Sequence, residues 1–307
     1  MTLTELKYIV AVAREKHFGR AAEACFVSQP TLSVAIKKLE EELDVKLFER
    51  GANEVSVTPL GDEIVRQAQQ VIEQAQAIRE TAKRGKDPVS GPLRLGIIYT
   101  IGPYLLPDLV RKAIELVPQM PLMLQENFTA KLLESLRTGE LDCAIMAEPF
   151  PDSGLAIAPL YDEAFVVALP KTHPLAKRKT ISAEELKNET MLLLGTGHCF
   201  RDHVLEVCPE YARFSSDAEG IRKSFEGSSL ETIKYMVASG MGVTVVPLLS
   251  VPKEPQPHVT YVKFSAPVPT RRVVLAWRRT FTRYEAIAAL RNAIYACELP
   301  GMKRLTA

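Results

Sequence analysis

The chain has 307 residues, a length that suggests about two domains and room for a third, smaller one. Hydrophobic residues make up 47% and charged residues 24%, the composition of an ordinary globular protein. The 38 Lys and Arg residues nearly cancel the 37 Asp and Glu residues, so the formal net charge is +1. This balance excludes a protein that binds nucleic acid through bulk positive charge, so any DNA binding must depend on a few well-placed groups.

Composition also disfavours membrane and secreted classes. No apolar run approaches the roughly 18 residues that a transmembrane helix needs, and the first residues lack the basic and apolar regions of a secretory signal. Five cysteines are too few, and odd in number, for a disulfide scaffold. We therefore expect a cytoplasmic protein in a reducing compartment, with no membrane partner.

The N-terminal 58 residues predict a helix-turn-helix. Residues 18–25 form a short helical pattern rich in small residues, and the next two residues interrupt it. Ser28 can cap a second helix, with Pro30 in its first turn, where a missing N–H costs little. Two helices separated by so short a turn are typical of this motif.

The second helix has two distinct faces. At about 100° per residue, one stripe is apolar and must be buried: Leu32, Ile36, Leu39 and Leu43. The opposite side carries a different set: Pro30, Thr31, Val34, Lys37 and Lys38, with Ser33 on its flank. An exposed valine beside hydroxyl residues suits a major groove, where it can meet a thymine methyl group while the lysines meet phosphates. A three-helix domain with a solvated lysine face remains the alternative.

A small hairpin follows. Residues 51–53 form a Gly-Ala-Asn turn, and residues 55–57 alternate as a short strand. This pattern predicts a wing, with Arg50 available to a phosphate or to the minor groove.

One long helical pattern occupies residues 59–86. Apolar residues recur at spacings of four and three: Ile64, Ala68, Val71, Ala75, Ile78 and Ala82. About three heptads of this kind favour pairing with another helix, and packing on the chain's own domain is the alternative. Thr58 is the expected N-cap and Pro59 fits the first turn.

From residue 92 onward, strand-like and helix-like segments alternate. Strands at 93–98, 122–127 and 142–146 are separated by helices at about 104–116 and 129–138. This βαβαβ order predicts an α/β domain with a largely parallel sheet.

Two cysteines follow the apolar strand-like segment at residues 191–194. A short helix beginning near His198 places Cys199 in a first turn, where unpaired N–H groups and the helix dipole favour a thiolate. Such a thiolate can attack a peroxide and form a sulfenic acid, which Cys208 is placed to resolve. Nine residues of helix span about 13 Å, whereas a disulfide needs Cα atoms within about 7 Å. Oxidation must therefore unwind or re-route this segment.

Two other interpretations of the segment remain open. Cys199 and Cys208 can be ordinary buried thiols. His198, Cys199, His203 and Cys208 can also be metal ligands, although their spacing matches no common zinc motif.

Five short motifs give the chain a specific resemblance. They are FGRAA at 18–22, VSQPTLS at 27–33, LEEEL at 39–43, LFER at 47–50 and TPLG at 58–61. Together they resemble the N-terminal signature of LysR-type transcriptional regulators. The resemblance covers nearly the whole chain and implies an α/β fold with an N-terminal winged helix-turn-helix, a long linker helix and a two-lobed effector domain like periplasmic binding proteins.

The resemblance also implies how these parts divide the chain and what they bind. The DNA-binding domain is residues 1–58, the dimerising linker helix 59–87, lobe I 92–162 with 269–300, and lobe II, with the redox cysteines, 163–268. The implied partners are double-stranded DNA with a dyad-symmetric site, a second copy in a homodimer or homotetramer, and RNA polymerase. The DNA-contacting set is Ser28, Gln29, Pro30, Thr31, Ser33, Val34, Lys37, Lys38 and Arg50.

A second resemblance concerns the cysteine segment. GHCFRD at 197–202, followed by Cys208, is similar to the peroxide-sensing segment of the OxyR branch of that family. It implies that Cys199 is the peroxidatic cysteine and Cys208 the resolving one. YTIGP at 99–103 and ENFT at 126–129 match the branch's two threonine motifs. The implied peroxide pocket is Thr100, Thr129, His198, Arg201, Asp202 and Arg271.

The sequence therefore predicts a transcription regulator that senses hydrogen peroxide by a reversible Cys199–Cys208 disulfide and controls oxidative-stress genes, with no cofactor and no metal. One alternative is a LysR-type regulator whose effector is a small metabolite in the inter-lobe cleft, with passive cysteines. A thiol peroxidase is a third hypothesis, disfavoured because an enzyme has little use for the exposed face of the second helix.

Overall fold

The computed structural model describes residues 1–50, 55–83, 89–151, 154–214, 224–227 and 229–305. Its N-terminal part contains α1 (Leu3–Glu15), α2 (Phe18–Ala24), α3 (Gln29–Leu43), β1 (Phe48–Arg50) and β2 (Val55–Val57). The predicted helix-turn-helix and wing are confirmed. Ser28 Oγ accepts a hydrogen bond from Thr31 N at 3.3 Å and so caps α3, while β1 and β2 pair antiparallel. The predicted wing turn, residues 51–53, lies outside the described residues.

The helix α4 (Pro59–Lys83) connects the N-terminal part to the rest of the chain. As predicted, Thr58 caps it, accepting a hydrogen bond from Gly61 N at 2.9 Å. Its apolar stripe divides into two parts. Ala68 is 3% exposed and packs in the N-terminal core beside α1, whereas Val71 is 46% and Ile78 72% exposed. Among the described side chains of α4, the first part of the stripe therefore packs on the chain's own N-terminal core, and Val71 and Ile78 are exposed.

The remaining helices and strands alternate along the chain. They are β3 (Leu93–Ile98), α5 (Gly102–Leu116), β4 (Leu122–Asn127), α6 (Thr129–Arg137), β5 (Cys143–Ala147), β6 (Leu155–Pro170), β7 (Thr180–Ile181), α7 (Ala183–Leu186), β8 (Met191–Leu194), α8 (Cys199–Val207), β9 (Ser224–Gly227), α9 (Leu230–Ala238), β10 (Thr244–Pro247), β11 (Val259–Phe264), β12 (Thr270–Arg278), α10 (Tyr284–Tyr295) and β13 (Lys303–Arg304). Short 3₁₀ helices lie at Pro174–Lys177, Pro209–Phe214 and Leu248–Ser250.

The prediction of a largely parallel sheet is wrong. The strand β3 does pair parallel with β4 and β5. However, β12 runs antiparallel to both β5 and β6, and β10 and β11 run antiparallel to β6. The physical reason is that β6 and β12 are long neighbouring strands that pass in opposite directions between the two halves of the chain beyond α4, without the helical crossover that a parallel pair requires.

Two hydrophobic cores lie on either side of these crossing strands. The first is built from β3, β5, α5, α6 and α10 together with the start of β6 and most of β12. The second is built from β8, α8, α9, β10, β11 and the end of β6. We refer to the two halves as lobe I and lobe II. None of the described helices is long and apolar enough to cross a bilayer.

Candidate redox site and nucleic-acid interface

Cys199 is the first residue of α8, as the sequence predicts, and it lies between the two lobes. The loop before it turns at Gly197, whose φ of +97° is favoured by glycine. Cys199 is half-buried and packs against the core of lobe I, although its helix belongs to lobe II. The thiol therefore sits at the lobe boundary, at the N-terminus of a helix.

A small cavity adjoins Cys199 at the carboxyl ends of β3 and β4. The lining residues are Ile98, Tyr99, Thr100, Asn127, Phe128, Thr129, Gly197, His198 and Cys199. The volume open to the centre of a water molecule is about 10 Å³. A cavity of this size holds about one water-sized molecule. The structure thus brings Cys199 together with Thr100, Thr129 and His198, as the sequence predicts.

The two threonine hydroxyls differ in their partners. Thr100 Oγ1 accepts a hydrogen bond from Arg271 Nη1 at 2.8 Å, so its own O–H is left to donate. Thr129 Oγ1 is buried and has no hydrogen-bond partner among the described residues. A buried hydroxyl without a partner is costly unless a ligand or water completes it. Both hydroxyls are therefore suited to bind a small polar molecule in the cavity.

Arg271 lies behind Thr100 rather than in the cavity. Its side chain is fully buried, donates to the Thr100 carbonyl at 3.0 Å and forms an ion pair with Glu163 Oε2 at 2.7 Å. Glu163 is also fully buried, and its other oxygen accepts from Leu249 N at 2.8 Å. Arg271 therefore positions Thr100, and Glu163 positions Arg271. Sequence reasoning missed Glu163, although a carboxylate inside an apolar strand pattern was a usable signal.

Besides Arg271, two further residues of the implied pocket are not among those lining the cavity. Arg201 is buried, but its guanidinium donates to the Leu194 carbonyl at 2.9 Å. Asp202 is exposed to solvent. Arg201 lies two residues and Asp202 three residues beyond Cys199 on α8. The guanidinium of Arg201 is held by the Leu194 carbonyl and the Asp202 side chain is in solvent, so neither adds to the cavity lining.

Cys208 lies at the opposite end of α8, as its C-cap, buried in the core of lobe II. All five cysteines are unbridged. Burial, with a smaller contribution from Glu210, raises the pKa of the Cys208 thiol to about 12, so Cys208 is protonated at neutral pH. Because α8 is continuous from Cys199 to Val207, the two sulfurs are held apart by the helix.

His203 ties the middle of α8 to the end of β5. Its Nε2 lies 2.8 Å from the Glu148 carbonyl oxygen, while its Nδ1 is buried with no partner in the described structure. Burial lowers the pKa of His203, so the ring is neutral and donates to that carbonyl. The sequence offered this residue as one of four possible metal ligands and did not reveal this contact.

The candidate nucleic-acid interface is the outer face of α3. Leu32, Ile36 and Leu39 are buried, whereas Val34 is 67% exposed. The other outward residues are also exposed, apart from the half-buried Ser33: Ser28, Gln29, Pro30, Thr31, Lys37 and Lys38. The Arg50 backbone lies in β1, but its side chain falls outside the described structure.

Glu40 has a role that the sequence did not reveal. One of its carboxylate oxygens accepts hydrogen bonds from Leu47 N at 2.8 Å and Phe48 N at 3.3 Å. This contact anchors the wing to α3, so the two elements present one surface.

Family comparisons agree with this arrangement. Residues 3–62 match the bacterial regulatory helix-turn-helix protein model of the lysR family, and residues 86–296 match the LysR substrate binding domain. The chain belongs to the LysR family. In the part of this LysR-family chain that the structure describes, no group of three His, Cys, Asp or Glu residues could hold a metal ion.

Similar proteins carry OxyR names. The DNA-binding transcriptional dual regulator OxyR of Escherichia coli (strain K12) is 39% identical over 292 residues, which make up 94% of this chain and 94% of that protein. A full-length OxyR variant from Pseudomonas aeruginosa has a TM-score of 0.81 and 49% identity, over 100% of this chain and 98% of that one. A hydrogen-peroxide-bound OxyR cysteine mutant from Corynebacterium glutamicum has a TM-score of 0.64 and 34% identity, over 95% and 91%.

Proposed function

We propose that this LysR-family regulator binds DNA and senses hydrogen peroxide through reversible oxidation of Cys199 and Cys208, controlling oxidative-stress genes. One observation carries the proposal: Cys199 begins a helix beside a cavity for one small molecule, lined by the hydroxyls of Thr100 and Thr129. Relatives named as hydrogen peroxide-inducible genes activators support it, as does the similar OxyR structure described as peroxide-bound.

The first chemical step oxidises Cys199. Its thiolate attacks one oxygen of the peroxide, an S–O bond forms and the O–O bond breaks. The other oxygen leaves as hydroxide and takes up a proton to become water. The Thr100 and Thr129 hydroxyls are placed to orient the two peroxide oxygens, and His198 is the polar ring beside the leaving oxygen. Arg271 positions Thr100.

The second step forms the disulfide. The Cys208 sulfur attacks the Cys199 sulfenic acid, an S–S bond forms, and hydroxide leaves and combines with the Cys208 thiol proton as water. The net reaction oxidises two thiols and reduces one peroxide to two waters. Because α8 separates the sulfurs, the bond requires α8 to unwind, and this turns a local oxidation into a change between lobes.

The DNA-binding surface is the outer face of α3, with the wing. We assign direct contacts to Ser28, Gln29, Pro30, Thr31, Ser33, Val34, Lys37, Lys38 and Arg50, and the domain to residues 1–58. Regulation of transcription further implies contact with RNA polymerase, and we place the activity in the bacterial cytoplasm, where the chromosome lies.

Self-association is the remaining part of the proposal. Residues 59–87 form the dimerising linker, and lobe I (92–162 with 269–300) and lobe II (163–268) form the effector domain. Exposed apolar side chains support a second contact surface between copies: Ile114 and Leu116 on α5, and Met123 and Leu124 on the edge strand β4. Two such surfaces per chain permit a homodimer or homotetramer that matches dyad-symmetric DNA.

A second candidate function is supported by a larger cavity next to the first. It has a volume of about 370 Å³, lies between the lobes, and is lined by residues that include Tyr104, Glu126 and Glu231. A metabolite in this cleft is the effector in the alternative, with the cysteines passive.

The test is thiol mass spectrometry on the full-length protein after one equivalent of hydrogen peroxide, with DNA binding measured in parallel. We expect a Cys199–Cys208 cross-link in the wild type and in Cys25→Ser, and none in Cys199→Ser. In Cys208→Ser a sulfenic acid at residue 199 should be trapped by dimedone. Persistent free thiols in the wild type, or a DNA response to inducer that survives Cys199→Ser, would favour the metabolite alternative.

A further inference from the structure

Three rings line one side of the cavity beside Cys199. Tyr99 follows β3 and Phe128 follows β4 in lobe I, while His198 precedes α8 in lobe II. The Phe128 ring centroid lies 4.8 Å from that of His198 and 5.2 Å from that of Tyr99, both edge-to-face at 75°. Tyr99 and His198 lie 5.9 Å apart. These are the separations of packed aromatic rings, so the three form one cluster across the lobe boundary.

This cluster separates two cavities of very different size. Tyr99, Thr100, Phe128 and His198 line both the small cavity beside Cys199 and the larger inter-lobe cleft. The volume open to the centre of a water molecule is about 10 Å³ in the small cavity and about 370 Å³ in the inter-lobe cleft. The rings are therefore the partition between the wide cleft and the reactive sulfur.

Phe128 is the central ring of the partition. It contacts both other rings, and Gly197 lies against it on the side of the cysteine loop. A Cβ at Gly197 would stand 3.3 Å from Phe128 Cδ1, closer than ordinary packing, so the glycine lets the loop approach the ring. Phe128 is still 37% exposed, so it faces the cleft as well as the cavity.

We propose that the ring cluster of Tyr99, Phe128 and His198 selects hydrogen peroxide over organic hydroperoxides by excluding bulky substituents from Cys199. The inference rests on the proposed function, because it concerns the oxidant that reaches the same sulfur. With either oxidant, the thiolate takes the terminal oxygen, the O–O bond breaks, and water or an alcohol leaves after protonation. Only the group on the second oxygen differs, and a tertiary alkyl or aryl group does not fit the small cavity without displacing the rings.

The test compares oxidation rates of Cys199 by peroxides of increasing size. Full-length protein is mixed with hydrogen peroxide, tert-butyl hydroperoxide or cumene hydroperoxide, quenched at intervals, and the remaining Cys199 thiol is measured by mass spectrometry. For the wild type we expect a steep fall in rate constant as the substituent grows.

Opening the partition should relax this preference. We expect Phe128→Ala to lower the ratio of the hydrogen peroxide rate constant to the cumene hydroperoxide rate constant by about tenfold or more, the scale on which steric pockets discriminate. Tyr99→Ala should lower the ratio less, because Tyr99 is farther from His198 than Phe128 is. Phe128→Leu retains bulk and should largely retain the ratio, and Tyr284→Ala, at an exposed ring outside both cavities, should not change it.

The outcomes separate the two proposals. If the wild-type Cys199 is not oxidised by hydrogen peroxide, the proposed function is wrong. If it is oxidised but the wild type shows no dependence on peroxide size, or Phe128→Ala keeps the wild-type ratio, the partition is not the selective element. The wild-type rate constants for the three peroxides test the size selectivity even if Phe128→Ala fails to fold.

Discussion

At the scale of single residues, the buried pair of Arg271 and Glu163 links the crossing strands to the redox cavity. Arg271 lies on β12 and Glu163 on β6, and both side chains are fully buried. Two charges without water are stable only when each is well hydrogen-bonded. Arg271 meets this need by donating to Thr100, and Glu163 by accepting from Leu249. The geometry that makes the pair stable therefore also fixes the Thr100 hydroxyl.

Removing the carboxylate should affect both stability and reactivity. We expect Glu163→Ala to lower the free energy of unfolding by about 3 kcal/mol, because it leaves a buried guanidinium uncompensated. The rate of Cys199 oxidation should fall with it, and Glu163→Gln should restore part of both. Urea denaturation and timed thiol alkylation measure the two effects. The matched control is Asp162→Asn, which removes a more exposed ion pair with Arg272 and should change the free energy of unfolding by about 1 kcal/mol or less. Equal effects at both positions would contradict the role of Glu163 in holding Arg271.

His203 makes the stability of the lobe boundary depend on pH. Its pKa is lowered chiefly by burial, with Arg271 adding to the effect; the hydrogen bond to the Glu148 carbonyl and the charges of Glu206 and Asp202 oppose it. The unfolded chain, with a histidine pKa near 6.5, therefore binds protons more readily than the folded chain does. Stability from neutral His203 is complete above about pH 6.5 and is lost as pH falls towards the folded-state pKa.

The corresponding variant is His203→Gln, whose amide can still donate to the Glu148 carbonyl but does not titrate. We expect its melting temperature to fall less than that of the wild type between about pH 7.5 and pH 5.5. Thermal unfolding of both proteins across this range measures the difference. Parallel pH profiles would show that His203 does not titrate on unfolding.

At the scale of secondary structure, α8 keeps the two cysteines apart. Its nine residues have Cys199 at one end, and Cys208 caps the other. Any substitution that makes this helix easier to unwind should therefore speed the step that joins the sulfurs. Glu206 is an exposed position on which to test this, since it lines neither the cavity nor the lobe II core.

We expect Glu206→Gly to form the disulfide from the sulfenic acid up to about fivefold faster than Glu206→Ala. Glycine is about 1 kcal/mol less favourable than alanine inside a helix, and 1 kcal/mol corresponds to about fivefold in rate when the helix is fully unwound in the transition state. Quenched-flow mass spectrometry resolves sulfenic acid from disulfide. The first oxidation step should be equal in the two variants. Equal rates for the second step would mean that the helix stays wound while the bond forms.

Helices, strands and caps could be predicted from the sequence where interactions between residues close in the chain determine them. The cap at Ser28, the buried stripe of α3, the strand at 191–194 and the helix beginning at Cys199 all follow from capping and periodicity. The antiparallel course of β12 could not be predicted, because strand direction depends on which partner lies beside it. For the same reason the sequence did not reveal Glu163, which meets Arg271 only because β6 and β12 lie side by side. Asp202, carried over from the resemblance, is exposed to solvent.

At the scale of the whole molecule, β12 connects the redox cavity to the linker helix. Arg271 near its start holds Thr100, and Arg278 at its end forms an ion pair with Glu73 of α4 at 2.8 Å. Thr280 Oγ1 donates to the other Glu73 oxygen at 2.9 Å. The two arginines are seven positions apart along the strand, a distance of about 23 Å. A rigid strand with a polar anchor at each end is a physical route by which a change at Cys199 can reach the DNA-binding domain.

Weakening the contact between Arg278 and Glu73 should therefore leave oxidation of the cysteines intact and reduce its effect on DNA affinity. We expect Glu73→Gln to leave the rate of Cys199–Cys208 disulfide formation unchanged, because Glu73 lies on α4 and lines a different surface from the redox cavity. The ratio of DNA affinities between oxidised and reduced protein should move towards one, since a hydrogen-bonded charge worth about 1.5–3 kcal/mol no longer fixes α4 to lobe I. Fluorescence anisotropy on operator DNA at fixed salt measures the ratio, with Asp62→Asn, which removes an exposed pair with Arg66 on the same helix, as the matched control. If both Glu73→Gln and Asp62→Asn keep the wild-type ratio of DNA affinities, the effect of Cys199 oxidation reaches the DNA-binding domain by another contact.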